Sequence, residues 1–200
     1  MQKRSFLAVA ALGGAALVAN AQGAGKGAGK GAGKGAPALL TVTGAIGKGN
    51  RGGLDPALDQ LMVKQKIAFD RAHALDFASL AAMPAVTIRP TLEYDKKVHA
   101  LSGPRLLDVL RATGAKLADG HKLFLRAIDG YAPTISVADA RKYGFIVATH
   151  LDGKPMPLGG LGPLWAVYDA DRAPDMAAKP VDQRFALCPW GLYHVEVQAA

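Results

Sequence analysis

Two hundred residues, half of them apolar and a fifth charged, suit one domain with an appendage and exclude a disordered chain. The formal charge is +8, but Lys3, Arg4, Lys26, Lys30 and Lys34 lie ahead of residue 35, where there is no acid, which leaves +3 for the remainder. So mildly basic a body gives no ground for nucleic-acid binding. The single cysteine, Cys188, excludes a disulfide framework and a zinc site built on paired cysteines.

The chain opens as an export signal. Gln2-Lys3-Arg4 is a positive start, Ser5 to Val18 is an apolar run, and Ala19-Asn20-Ala21 fits a small-x-small cleavage site. Residues 1–21 are thus expected to be a signal peptide. Lys3 stands where a twin-arginine signal has its first arginine, which leaves the export route open. The mature protein is expected to be periplasmic or otherwise exported, with no transmembrane segment after cleavage. Residues 22–37 hold the repeat Gly-Ala-Gly-Lys and read as a flexible cationic linker. The repeat is not a phosphate loop, because no Gly-Lys in it is followed by Ser or Thr.

A folded domain is expected over 38–200. "LLTVTGAI" alternates as a strand does. Gly47, Gly49 and Gly52 match G-x-G-x-x-G, but Gly53 to Pro56 intervene before any helix, against a dinucleotide fingerprint. Asp55 and Pro56 read as the cap and first position of a helix with Leu58, Leu61 and Met62 inward. A second helix fits Asp76 to Ala82. "AVTIRPTLEY" reads as an edge strand interrupted by Pro90. "GPRLLDVLRATG" reads as a helix opened by Pro104 and closed by Gly114. "KLFLRAI" and "YAPTISV" flank Asp129-Gly130 as a hairpin. "FIVATH" and "PLWAVYD" are apolar enough to be strands buried on both faces. "LYHVEVQ" places Val195 and Val197 on one face and His194 and Glu196 on the other, with His194 expected to face solvent. Strand-rich mixed sheets with short helices define an α+β fold.

The order of these pieces carries a resemblance. "TVTGAI", "AVTIRPTLEY", "HALSGPRLLDVLRATGA", "YGFIVATHLDGKPMPLGGLGPLWAVY" and "WGLYHVEV" together resemble the molybdopterin-binding oxidoreductase domain of the sulfite oxidase fold, over roughly residues 38–198. In that family a strand ends in T-L-x-C-x-G-N, a Gly-x-x-Leu-x-x-Leu helix follows, and N-G-x-x-L-P with a Gly-x-Pro strand precedes a W-L-x-x-I-x-V terminus. Asp152-Gly153-Lys154-Pro155-Met156-Pro157 and Gly162-Pro163 match the later pieces. The resemblance implies a molybdopterin cofactor and a cofactor wall at this proline- and glycine-rich loop. It also implies an electron-transfer or envelope partner protein. The departure is the ligand: Tyr94, followed by Asp95-Lys96-Lys97, stands where the family has its metal-binding cysteine. A phenol is not a soft thiolate. Cys188 is far along the chain and reads as a small buried hydrophobe.

A pterin with its phosphate wants arginine or lysine forks and amides. Arg89, Tyr94, His150, Lys154 and Arg184 are therefore the candidate cofactor residues, and no metal ligand or catalytic residue is assigned. No G-x-S-x-G elbow and no H-x-x-x-H or H-E-x-x-H spacing is present. Trp165 and Trp190 read as core. One functional reading is an exported molybdopterin-binding oxidoreductase-family protein. The alternative is a non-catalytic periplasmic binding module that keeps the fold and holds a small anion or a partner protein. A third is a structural envelope protein acting through the basic tail.

Overall fold

The structure, a computed structural model, describes residues 36–199. The expected signal peptide, and all of the expected linker except residues 36 and 37, lie outside the described residues.

Strand β1 (Ala38–Gly44) and the two-residue β2 (Arg51–Gly52) precede helix α1 (Gln60–Lys64). β3 (Arg71–Asp76) runs into α2 (Phe77–Ala81), where the Asp76 side chain caps the Ser79 N–H. β4 (Ala85–Ile88), an irregular loop, β5 (Leu101–Pro104) and α3 (Leu106–Ala112) follow. β6 (Lys122–Ala127) and β7 (Thr134–Ser136) form a hairpin that feeds α4 (Val137–Tyr143). Next come β8 (Ile146–Ala148), β9 (His150–Leu151), β10 (Lys154–Pro155) and β11 (Trp165–Val167). A 3-10 turn (Ala170–Arg172), α5 (Pro174–Ala177), a second 3-10 turn (Val181–Gln183) and β12 (Leu192–Gln198) complete the chain.

Three sheets result, in the orders β2-β3-β1-β12-β6-β7, β10-β9-β5-β4 and β11-β8. The strands are antiparallel to their neighbours except at β1 and β12, which run parallel. The architecture is the strand-rich α+β fold expected from the sequence. Val42, Val195 and Leu125 form one cross-strand row, and all three are fully buried. The opposite face of the same sheet carries Thr43, His194, Arg126 and Glu196.

That polar face corrects the expectation for His194, which is wholly buried rather than solvent-facing. Its Nδ1 lies 3.2 Å from Arg126 Nη1, and its Nε2 lies 2.9 Å from Thr43 Oγ1. Arginine can only donate, so Nδ1 accepts and Nε2–H donates to the threonine. Arg126 also pairs with Glu196 at 3.0 Å and lies over the Phe124 ring. Burial first, and the Arg126 charge second, push the His194 pKa down to about 3. The histidine is neutral when folded and protonates when unfolded, so it lowers stability as pH falls below 6.5 toward that value.

Four local expectations also change. The helix expected from Asp55 begins only at Gln60. Asp55 Oδ1 instead accepts from the N–H groups of Ala57 and Leu58, a turn that leaves Leu58 exposed and Met62 inward. Pro104 ends β5 and does not open α3. "YAPTISV" supplies only a three-residue strand, because Ser136 and Asp139 close a capping box that starts α4. Trp165 is core, but Trp190 is 37% exposed.

Gly103 in β5 is where the four-stranded sheet backs onto β8. A Cβ there would stand 2.0 Å from the Val147 carbonyl oxygen and 2.9 Å from Ala148 Cα. Backbone cannot swing away as a flexible side chain would. Gly103→Ala is therefore expected to cost about 3 kcal/mol or more, read as a lower urea midpoint. An unchanged midpoint would contradict the packing of β5 on β8.

Candidate functional site

The loop after β4 carries Tyr94, the residue that stands where the sequence resemblance expects a ligand cysteine. Pro90 has no N–H to continue the strand, and the chain leaves the sheet there. Thr91 bridges Val98, Leu92 N–H donates to the Lys97 carbonyl at 2.9 Å, and Lys96 N–H donates to the Leu92 carbonyl at 3.0 Å. Leu92 is buried while Tyr94 is 56% exposed and Val98 is 59% exposed, so residues 93–98 form a projecting tip anchored by one leucine.

The base of the loop is held by the first 3-10 turn. The N–H and hydroxyl of Thr91 both donate to Asp171 Oδ2 at 2.7 Å, and Arg89 N–H donates to Asp169 Oδ2 at 3.2 Å. Arg184 Nη1 donates to Asp171 Oδ1 at 2.7 Å, and its other nitrogens donate to the carbonyls of Ala177 and Lys179. All three guanidinium nitrogens are thus engaged within the protein.

The tip is fastened by His99. Its Nδ1 lies 2.7 Å from Asp152 Oδ2 and its Nε2 lies 3.0 Å from Asp95 Oδ2. Asp152, at φ 48° in the turn between β9 and β10, also accepts from Ala100 N–H at 2.9 Å. The hydrogen bonds to Asp152 and then Asp95 raise the His99 pKa, and those to His99 lower both carboxylates. Lys97 near Asp95 and Arg89 near Asp152 add to the lowering. The two ring nitrogens point to different carboxylates, so the trio is a clasp and not a ligand set for one ion.

Tyr94 stands beside Trp190 and Glu93, with Cys188 nearby. Desolvation of its hydroxyl, and then the Glu93 carboxylate, push its pKa up to about 12. Cys188 is 4% exposed, and its carbonyl accepts from the Trp165 indole at 2.9 Å. Burial pushes its thiol far above the usual range.

His150 is half-buried, its ring 5.6 Å from Phe77 and its Nδ1 2.8 Å from Thr149 Oγ1. With Leu80, Ala81 and Ser102 it lines a separate cleft of about 250 Å³. Lys154 is exposed on β10. A further cleft, of about 350 Å³, lies between β4, the start of α3, the end of α4 and α5. Arg105, Lys142 and Arg172 bring positive charge to it, Asp169 and Asp175 bring negative, and Tyr143 stands on its wall. Asp175 binds Lys142 at 2.8 Å and the Tyr143 hydroxyl at 2.6 Å, which together hold its pKa down at about 2.

In class, the molecule is an α+β domain of strand-rich mixed sheets with short helices. A solved structure with this fold is the sulfane dehydrogenase SoxCD from Paracoccus pantotrophus, with a TM-score of 0.52 and 11% identity. The match covers 80% of this chain and 37% of that one, so the chain spans little more than a third of its neighbour's length. At this identity the likeness concerns the fold alone. No family model matches the chain, and no curated protein matches it.

Of the five residues singled out in the sequence, Arg89 and Tyr94 share the projecting loop, and Arg89 lies toward Asp152 at the β9–β10 turn, next to Lys154. His150 faces α2, and Arg184 is locked under the loop. None of the five lines the 350 Å³ cleft. The sequence reading did not choose Asp95, His99, Asp152 or Arg105 as site residues. The Asp95–His99 spacing was a readable signal, but Asp152 joins them only through the β5–β9 pairing.

The clasp has a definite pH signature. A raised histidine pKa contributes stability that is full below the ordinary value of 6.5 and is lost as pH rises through the raised one. The lowered carboxylates contribute stability that is full above their ordinary value of 3.8 and is lost as pH falls through the lowered ones. The clasp is therefore complete between those ordinary values. His99→Gln should flatten the decline in unfolding free energy above pH 6.5, measured by urea titration at successive pH values. Parallel wild-type and variant curves would show that the clasp is not linked to folding.

Proposed function

We propose that this chain is an exported, non-catalytic binding module that keeps the molybdopterin-domain fold and holds a small anion in place of a redox centre. The donor chemistry at the family's ligand position carries this reading. A molybdenum centre of that type takes a soft thiolate. Tyr94 offers a phenol that stays protonated at neutral pH beside the Glu93 carboxylate. Cys188 offers a thiol, but one enclosed and held in its protonated form. The donors present do not fit the metal of the resembled family. Arg184, a candidate for the pterin phosphate, has its nitrogens committed to Asp171 and two carbonyls.

The export part of the reading rests on Lys3-Arg4, the apolar run after them and Ala19-Asn20-Ala21. The anion part rests on the excess of cations in the folded residues and on the three cationic side chains of the 350 Å³ cleft. The competing reading, a molybdopterin oxidoreductase with an electron-transfer or envelope partner, needs a metal donor that these side chains do not provide.

Elemental analysis decides between the two. Protein purified from the envelope of a host that makes molybdopterin should contain molybdenum and oxidised-pterin fluorescence far below one per chain. Stoichiometric molybdenum with pterin would overturn the binding-module reading.

A further inference from the structure

We propose that the 350 Å³ cleft is a binding site for a small carboxylate with an apolar body, held by Arg105; this rests on the binding-module reading above. The charges in the cleft do not cancel. Lys142 is matched by Asp175 at 2.8 Å. Arg172 faces Asp169 at 3.8 Å. Arg105 has no ion-pair or hydrogen-bond partner for its guanidinium among the described residues. The cleft therefore carries one uncompensated positive charge, and it suits a monoanion.

The fold gives Arg105 a defined place. Its backbone is pinned on one side by a bridge to Ile146 and on the other by the start of α3. Its guanidinium lies over Gly144, the left-handed residue that ends α4, where a Cβ would meet Nη1 at 3.4 Å. Arg105 lines both this cleft and a neighbouring one of about 250 Å³, so its fork stands at their junction.

A planar guanidinium matches a planar carboxylate with two parallel hydrogen bonds, a geometry that a spherical halide cannot exploit. The rest of the cleft is suited to a hydrocarbon body. Val86 and Ile88 alternate on β4 as one half-buried row, and both line the cleft with Tyr143, whose ring packs 5.0 Å from that of Tyr168. Lys142 lies over the Tyr143 ring at 4.6 Å, which keeps that cation on the rim. The volume is at the small end of the range for ligand sites, about 300–1,000 Å³, and fits a compact acid better than a pterin cofactor.

The test is a titration of the full chain with benzoate and butyrate, with sulfate and chloride at matched ionic strength. Amide shifts in a proton–nitrogen NMR spectrum report the location. Benzoate should move the amides of Thr87, Gly144 and Ala173, while chloride and sulfate leave them unchanged. Arg105→Gln should weaken benzoate at least tenfold, and Arg105→Lys, which keeps the charge and loses the fork, should weaken it by less. Arg51→Gln, whose side chain pairs with Asp59 and lines neither cleft, should bind as the wild type does. Circular dichroism checks that each variant is folded. Equal response to sulfate or chloride would overturn the carboxylate class. Benzoate shifts confined to residues 94–99 or 150–154 would overturn the cleft and leave the binding module standing. No response to benzoate or butyrate would overturn the site; the parent reading falls only on stoichiometric molybdenum.

Discussion

The final strand is threaded between the first strand and the β6–β7 hairpin, and the main sheet exists only when that insertion is made. β1 and β12 join ends of the domain more than 150 residues apart, through the one parallel pairing of this sheet. Contacts so distant in sequence form late, after the loop-closure entropy has been overcome. The insertion also settles the fate of His194. A histidine buried between Thr43 and Arg126 has every ring nitrogen committed, and it specifies the register in which Val42, Val195 and Leu125 meet. A slip of one residue would turn that apolar row to the polar face.

From that sheet outward, the molecule uses carboxylates as ties. Asp171 holds Thr91 on one oxygen and Arg184 on the other. Asp152 holds His99 and the Ala100 amide. Asp169 reaches the Arg89 amide. The loop after β4 is thus fixed at base and tip by side chains from two other segments. A phenol and an indole, those of Tyr94 and Trp190, stand at its surface. Fold by itself assigns no function.

Legibility in the sequence was uneven for physical reasons. Elements marked by short-range chemistry were readable: the short helix after Asp76, Asp129-Gly130 as a hairpin turn, and the apolar strands around Ile146 and Trp165. The order of these pieces was enough to indicate the fold. β3 was not read, because Arg-Ala-His-Ala-Leu-Asp has no β-branched residue and takes its strand form from β1 and β2 beside it. α4 was hidden by a β-like prefix, although Ser136 and Asp139 hold the signal at capping-box spacing. His194 lay on the expected face, but alternation says which face a residue occupies and not what covers it. The site was harder still. The partners of His99 are 4 and 53 positions away, and the environment of Arg105 comes from four separate segments.

The central claim is that the one thiol of this chain, Cys188, is structural and that no accessible thiolate stands at the loop after β4. A thiol titration with an aromatic disulfide reagent at neutral pH tests it most directly. The folded protein should release almost no chromophore over hours, and addition of denaturant should release one equivalent per chain, matching the single Cys188. Rapid release of a full equivalent from the folded protein would place a reactive sulfur within reach of the loop and contradict the account.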